Sequence, residues 1–587
     1  MLDFVDPESF PIYPRGWTPL ASIRVLRYLQ ARDGSFDIVH FSENSGLGYF
    51  PTLAKHQGLI LQSAKVVVGL HGPQVDWATL LNKQYPSDTF ALQLGYTESM
   101  TAEYADLVVS PSDYMLRYLT SKGWNLPSSA IVIPNIADLD IPTSKPATES
   151  QSATTEIVFF GRLEERKGTR LLVQAVELLF QHPDRYPSHS IKQITFLGRD
   201  VTHPQAHIET STLIREALSI LEDRTHADLR IEFLSNYSRQ EALSYLQNAS
   251  RLAVLPSLAD NSPSTILECI THSIRFIAST AGGQPELLDS NSHSTLLFEP
   301  VASELAAKIA TTASQVGASE AVKASSRVLA AASNWKLLHH WLRKETRTQA
   351  VPRLDNGLLL SVCITHYERP ELLAQLLASV SQQTYRNFEV IVIDDGSPGQ
   401  ATQAKLSELE HLWFDHSSWR LIRTRNNYLG EARNIAAASA RGSHILFLDD
   451  DDVLKPESIA TLMQVAAQTR ADALSTFLEE FASDINPLNA THLPHRRTYW
   501  FLGQAASAGI LENCFGSGNI FVRKDVFHAV GGFSTLRDVG AEDWEFYMKL
   551  VAHGYKQFVV PQELIFTRSD PARSSMVSFS HPTISLR

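Results

Sequence analysis

Short apolar runs alternate with helix-length amphipathic stretches along most of this chain, the pattern of parallel α/β sheets. In the first part the pattern predicts strands at Asp37–Phe41, Lys65–Leu70, Leu107–Val109 and Ile131–Ile133, and one helix over Pro19–Ala31. A polar stretch with Pro142 and Pro146, Asp138–Thr155, reads as a linker. Strands resume at Glu156–Phe160, Gln193–Leu197, Arg230–Phe233, Leu252–Leu255 and Phe276–Ser279, and Ala-rich helical sequence fills about Ser303–Lys344. A second linker, Thr346–Asn356, leads into a fresh α/β series opening with Leu358–Ile364. The expectation is an α/β protein of three units, 1–139, 156–345 and 358–587, with linkers at 140–155 and 346–357. A doubly wound domain opens with a strand, a glycine-rich turn and a helix. Here a Pro-containing irregular stretch precedes one helix and what would be an internal strand, so the first unit is expected to be incomplete at its start.

Composition narrows the class. At 587 residues the chain exceeds one hydrophobic core, and 44% hydrophobic with 19% charged residues excludes wholesale disorder and collagen-like fibre. With 51 basic against 63 acidic side chains, a net charge of −12 and no long basic run, nucleic acid is not an expected partner. Cys269, Cys363 and Cys514 lie far apart with no CxxC, which points to a reducing compartment without structural disulfides or zinc. The longest apolar runs, such as Val66–Leu70 and Ile445–Leu448, are strand-length, far short of the roughly 18 residues of a spanning helix. The opening MLDFVDPESFPIYPR has neither a basic n-region nor an apolar h-region. A cytoplasmic protein without a transmembrane segment is expected.

Candidate chemistry concentrates where strands end. Ile445–Leu448 runs into Asp449-Asp450-Asp451-Asp452. Two readings stand for these four carboxylates: a site for a hard divalent cation, Mg²⁺ or Mn²⁺, that bridges to phosphate, or a solvated acidic turn. Val390–Ile393 also ends in carboxylates, Asp394-Asp395-Gly396-Ser397, and Ser361–Ile364 ends in Thr365-His366-Tyr367-Glu368-Arg369-Pro370. Open α/β sheets bind ligands at these carboxyl ends. Glu542-Asp543-Trp544-Glu545 opens a helical stretch, where Asp543 is either a general base or a helix cap.

The segments THYERP, QQTYRNFEVIVIDDGS, GEARNIAAASARG, FLDDDD and AEDWEF stand in this order between residues 359 and about 577. This part resembles the inverting, metal-dependent family 2 glycosyltransferases with the GT-A fold. The resemblance implies that Tyr367, Asp394 and Asp395 hold the nucleotide base and ribose and that Arg433 lies near the nucleotide. It makes Asp449–Asp451 the DxD motif, with Asp449 and Asp450 at the donor and Asp449 and Asp451 on the divalent metal. Asp543 becomes the base that deprotonates the acceptor hydroxyl, and Gly516-Ser517-Gly518-Asn519 the acceptor-side loop. Glu368 stands where the family often has Asn.

The middle of the chain has its own signature. Strand Ile157–Phe160 runs into Gly161-Arg162-Leu163-Glu164-Glu165-Arg166-Lys167-Gly168 and then a helix, a charged turn suited to a diphosphate or simply to solvent. Residues 256–268, PSLADNSPSTILE, and 281–286, AGGQPE, follow later strands. These resemble the C-terminal half of the retaining family 4 glycosyltransferases of the GT-B fold. By that resemblance Arg162 and Lys167 grip the donor diphosphate and Glu268 binds ribose, while Asp260 takes the first acidic position, one methylene shorter than the family's Glu. The first part matches the same family through FDIVHFSENSGLGYFPTLAKHQGL, VVVGLHGP, ADLVVSPSDYMLRYL and VIPN, but the opening strand and glycine-rich loop have no counterpart. His71 matches the family histidine facing the donor sugar, although a lone histidine is as often structural. Gly46-Leu47-Gly48 is no dinucleotide fingerprint.

The resemblances together imply a GT-B type pair of Rossmann-like domains followed by a GT-A type αβ domain. Each module would transfer sugar from a nucleotide-sugar to a glycan or lipid-linked acceptor, as in bacterial surface polysaccharide assembly. The GT-A module would need a divalent metal and the GT-B module no cofactor, with peripheral contact at the inner face of the membrane if the acceptor is lipid-linked. Two alternatives remain open: the GT-B part is only a binding scaffold, or the chain is a non-catalytic nucleotide-sugar sensor.

Overall fold

The computed structural model describes residues 17–77, 88–136, 153–203, 206–225, 229–315, 322–344, 357–414, 418–482, 487–488, 497–536 and 540–569. The two expected linkers fall almost entirely outside the described residues. Among the described residues three sheets form, at the places where the apolar runs predict strands.

The first sheet holds β1 (Ile38–Ser42), β2 (Lys65–Gly69), β3 (Leu107–Ser110) and β4 (Ile131–Val132), parallel and in sequential order. Among the described residues it winds in one direction only and shows no switch point. Successive side chains face opposite ways. Val68 and Val108 pack on the helix Asp113–Ser121 through Met115 and Leu119. Val67, Leu107 and Val109 lie under Leu338 and Leu342 of the helix Ser326–Lys344, which returns from the second unit.

The second sheet comprises β5 (Glu156–Phe160), β6 (Gln193–Leu197), β7 (Arg230–Leu234), β8 (Arg251–Leu255), β9 (Phe276–Ser279) and β10 (Leu297–Phe298). Its order, β10-β9-β8-β5-β6-β7, is the doubly wound one, and winding reverses between β5 and β8. That reversal sets the turn after β5, with Arg162 and Lys167, beside the turn after β8, with Asp260.

The third sheet contains β11 (Leu360–His366), β12 (Phe388–Asp394), β13 (Arg420–Arg423), β14 (His444–Asp449), β15 (Val453–Leu454), β16 (Ala473–Ala482), β17 (Arg497–Tyr499), β18 (Phe521–Arg523) and β19 (Gln557–Ser569). Its path is β13-β12-β11-β14-β18-β16-β19-β15, with β17 beside β16. The first four strands are parallel, and β18 runs antiparallel to β14 and β16. Winding reverses between β11 and β14, and the register pairs Thr365 with Asp449 and, across β12, His366 with Asp394. Both faces are covered, which is why β11 and β12 read as continuous apolar runs.

The three units are not beads on a string. Ile23 and Leu26 of the helix Trp17–Gln30, and Tyr49, Phe50 and Leu53 of the helix Tyr49–His56, share one core with Phe477, Trp500, Leu502, Phe515 and Val559 of the third unit. Phe50 meets Phe477 edge-on at 5.3 Å, and Gln57 Nε2 donates to the Val559 carbonyl at 2.7 Å. An amphipathic helix has the same sequence pattern whichever sheet it covers, so this docking left no mark in the pattern.

Candidate active sites

In the third unit the tips of β11, β12 and β14 converge. Asp394 accepts from the Ser397 N–H (3.2 Å) and Gln403 Nε2 (3.0 Å), while Asp395 accepts from the Asn427 and Tyr428 N–H groups at 2.7 and 3.0 Å. Both carboxylates therefore shape the loops around the β12 tip. Tyr367 is exposed at the mouth. Glu368 sits at φ +59°, a left-handed conformation that Asn adopts more easily than Glu. Its carboxylate accepts the Gly399 N–H at 2.8 Å and its own N–H donates to Ser397 Oγ at 3.0 Å, fastening β11 to β12.

The four consecutive aspartates divide into two pairs. Asp450 and Asp452 are buried, and Asp449 and Asp451 keep side-chain exposures of 35% and 29%. Asp450 lies between His366 Nδ1 at 2.7 Å and Arg369 at 2.5 Å. Asp452 accepts from Asn519 Nδ2 at 2.7 Å, and burial pushes its carboxyl well above the usual range. Burial also raises Asp451 to about 6, against the opposing pull of Arg369 at 2.7 Å, with Asp449 and Asp450 adding to the rise. The exposed pair offers hard oxygen donors crowded by like charge, a set that fits a divalent cation. Among the described residues no group of three His, Cys, Asp or Glu has metal-binding geometry. A cation on Asp449 and Asp451 would complete its shell with substrate phosphate and water, as Mg²⁺ commonly does.

Arg433 joins this turn to the candidate base. It is buried in the helix Leu429–Ser439, with Nη2 2.8 Å from Asp449 and Nη1 2.9 Å from Glu542. Its guanidinium is thus engaged by two carboxylates. Asp543 follows Glu542 in the first turn of the helix Glu542–Ala552 and accepts the Trp544 N–H at 2.7 Å. Burial raises Asp543 to about 6, and Arg433 limits that rise. The loop Gly516–Asn519 threads between these groups. A Cβ on Gly518 would stand 2.6 Å from Arg433 Nη2 and 3.4 Å from Asp449 Oδ2. Asn519 Oδ1 takes the Asp449 N–H at 3.4 Å while its amide holds Asp452.

The second cleft lies between the first two units. Lys167 pairs with Asp260, and Arg166 with Asp260 at 3.4 Å and Glu164 at 2.8 Å while stacking over Trp77 at 4.6 Å. Burial lowers Lys167. Burial alone would raise Asp260, but Lys167 and Arg166 outweigh it and hold the carboxyl below the usual range. Arg162 is 3.2 Å from Glu164, and Glu268 is 2.6 Å from Arg239. His71 presents an exposed ring whose pKa is raised by the Glu43 carboxylate 3.6 Å from Nδ1; the buried Glu43 also accepts the His71 and Gly72 N–H groups at 2.7 and 2.5 Å. Asn261 hooks the units together: it accepts from Ser112 Oγ at 2.6 Å and donates to the Leu70 and His71 carbonyls at 3.2 and 3.3 Å. Glu286 accepts the Asp113 and Tyr114 N–H groups at 2.7 and 2.8 Å.

Three family models match the chain: Glycosyltransferase Family 4 over residues 3–141, Glycosyl transferases group 1 over 154–315, and Glycosyl transferase family 2 over 361–531. This chain joins glycosyltransferase modules of family 4, group 1 and family 2. The first two form the GT-B pair and the third is the GT-A domain, with the expected α/β architecture. An uncharacterized glycosyltransferase of Haemophilus influenzae is 28% identical over 229 residues, 37% of this chain and 71% of that protein. An abequosyltransferase of Salmonella typhimurium is 28% identical over 172 residues, 28% of this chain and 50% of its own length. A mannosyltransferase from Pyrobaculum calidifontis, solved with GDP-Man and Mn2+, aligns with 42% of this chain and 68% of its own at 18% identity and a TM-score of 0.29.

The family 2 module gathers Tyr367, Asp394, Asp395, Arg433, Asp449–Asp451 and Asp543 at one end of its sheet. The GT-B pair gathers Lys167, Asp260 and His71 at its cleft, with Arg162 on the turn after β5 and Glu268 on the helix Ser264–Thr271. Sequence reasoning missed the parts played by His366, Arg369, Glu43 and Asn261. Arg369 alone gave a signal, as the cation of a strand tip facing four acids. Among the described residues no helix is long and apolar enough to cross a membrane.

Proposed function

We propose that the family 2 module transfers a sugar with inversion from a nucleotide-sugar to an acceptor hydroxyl. The observation that carries this reading is the Asp449–Arg433–Glu542 bridge, which fixes the DxD turn and Asp543 in one frame. Asp543 takes the acceptor proton as its oxygen attacks the anomeric carbon, and the bond from that carbon to the diphosphate breaks. Tyr367 faces the base, while Asp394 and Asp395 hold the loops that enclose base and ribose. Asp449 and Asp451 would hold a divalent cation, whose positive charge would offset the negative charge of the departing diphosphate. Arg369, paired with Asp451 Oδ2, would share that carboxylate with a bound cation.

The GT-B pair, on the same reading, transfers with retention and without metal, using Arg162 and Lys167 at the diphosphate, Glu268 at ribose, and Asp260 and His71 at the sugar. A scaffold role is favoured by one observation: Asp260 is already paired with Lys167 and Arg166. The abequosyltransferase relative supports sugar transfer; a glycan or lipid-linked acceptor in bacterial surface polysaccharide assembly, with the protein in the cytoplasm at the inner face of the membrane, is proposed with it. The test is nucleotide release from a panel of UDP-, GDP- and dTDP-sugars with Mn²⁺. Asp543→Asn is expected to lose about 10²–10⁴-fold in turnover while nucleotide binding persists. Binding without turnover of any donor would instead make the chain a sensor.

A further inference from the structure

The family 4 half touches the family 2 domain at a particular place. Tyr49 Oη donates to the Leu502 carbonyl at 2.5 Å, and its ring is buried against Tyr96 at 5.7 Å. Gln93 Nε2, on the helix Thr89–Glu103, donates to Glu512 Oε1. Both contacts fall on one stretch of the GT-A domain, residues 502–519. The same stretch leans on both halves of the transfer site. At its end, Asn519 holds the Asp449 N–H and the Asp452 carboxylate. Midway, the Gly509 carbonyl accepts Trp544 Nε1 at 2.7 Å, fixing the residue after Asp543. Between these points Phe515 stacks on Tyr547, whose hydroxyl donates to the Ser517 carbonyl at 3.1 Å.

We infer that Tyr49 and Gln93, residues of the family 4 half, are positioning residues for the family 2 active site, acting by fixing the 502–519 segment. The inference rests on reading Asp449–Asp451 and Asp543 as the transfer site. It gives the first unit a purpose independent of any chemistry in its own cleft, since its helices are the wall against which the GT-A acceptor side is set. The stretch is built to transmit position. Phe515 fills the space where a Gly509 side chain would stand, and the Phe515 carbonyl accepts from both Ser475 Oγ (2.6 Å) and Gln557 Nε2 (3.1 Å). Movement at Glu512 therefore reaches Asn519 and Trp544 through a packed chain.

The test uses the full chain and a charge swap. Gln93→Glu sets a carboxylate against Glu512, and Gln93→Glu with Glu512→Gln restores the hydrogen bond with its direction reversed. Amide hydrogen exchange of peptides covering 502–519 is expected to quicken about tenfold in the single variant, the equivalent of one lost hydrogen bond, and to return in the swap. Mn²⁺-dependent hydrolysis of the best donor among UDP-glucose, UDP-GlcNAc and GDP-mannose is expected to lose about tenfold in kcat with donor KM held, and to recover in the swap to within about twofold. Tyr49→Phe, which removes only the bond to Leu502, gives a milder version should the charge variant fail to fold. Val108→Ala, in the core of the first sheet and away from the family 2 domain, controls for general destabilisation. Unchanged exchange at 502–519, a swap without rescue, or an equal kcat loss in Val108→Ala overturns the inference. If no donor turns over, the proposed function fails, and the exchange measurement alone still decides whether Tyr49 and Gln93 fix the segment.

Discussion

Replacing Arg433 with methionine removes the cation that joins the metal turn to the base. Arg433 is 2% exposed, lies 2.8 Å from Asp449 and 2.9 Å from Glu542, and sits over the Phe533 ring at 5.1 Å. Methionine fills much of the volume but leaves both carboxylates unmatched. Breaking a fully buried pair in this way costs about 3–5 kcal/mol. Asp449 and Glu542 retain side-chain exposures of 35% and 19% and can recruit water, so about 2 kcal/mol is expected. The electrostatic effect is more specific. Burial drives the Asp543 pKa up to about 6 and Arg433 restrains it; without that cation the value rises further, by about one unit. The base works only when ionised, so turnover falls as pH drops through its pKa, and a higher pKa moves that fall to higher pH. At pH 6 roughly half of wild-type Asp543 is ionised against about a tenth in the variant. Thermal unfolding and Mn²⁺-dependent turnover between about pH 5 and 8 measure the two effects. Unfolding unchanged within about 0.5 kcal/mol, or an acid limb that stays in place or moves to lower pH, would refute the reasoning.

Other outcomes follow from the same contacts. Asp260→Asn leaves the largely buried Lys167 and Arg166 without their shared carboxylate, and urea unfolding of the group 1 unit is expected to lose about 3 kcal/mol; an unchanged midpoint counts against the pairing. Gly518→Ala places a methyl 2.6 Å from Arg433 Nη2, an atom held by Asp449, so stability is expected to drop by about 1–3 kcal/mol together with metal-dependent turnover. Wild-type thermal stability with a Gly518→Ala chain would mean that the loop has room the geometry denies it.

Strand positions were legible because burial on both faces writes continuous apolar runs, as in Val390–Ile393 and Ile445–Leu448. The order of strands was not, since a run does not record its neighbours; only the paired sheets set Asp449 beside Thr365. The site motifs were legible as a set, but not the division of labour within them. Four identical aspartates look alike in sequence, and alternation along the turn buries Asp450 and Asp452 while exposing Asp449 and Asp451. His366 gave no sign of its bond to Asp450, because the partner lies 84 positions away. The docking of the first unit on the GT-A domain was equally silent, since Tyr49 and Gln93 belong to helices with little exposed face, whose sequence does not record which neighbour covers them.

The account's central claim is that two separate glycosyltransferase sites work in one chain. Turnover of a nucleotide-sugar panel by wild type, Asp543→Asn and Glu268→Gln, each with Mn²⁺ and with EDTA, tests it most directly. The account predicts a Mn²⁺-dependent activity that Asp543→Asn lowers by about 10²–10⁴-fold and Glu268→Gln spares, and an EDTA-resistant activity with the opposite response. A Mn²⁺-dependent activity that survives Asp543→Asn, or the absence of any EDTA-resistant turnover, would contradict it.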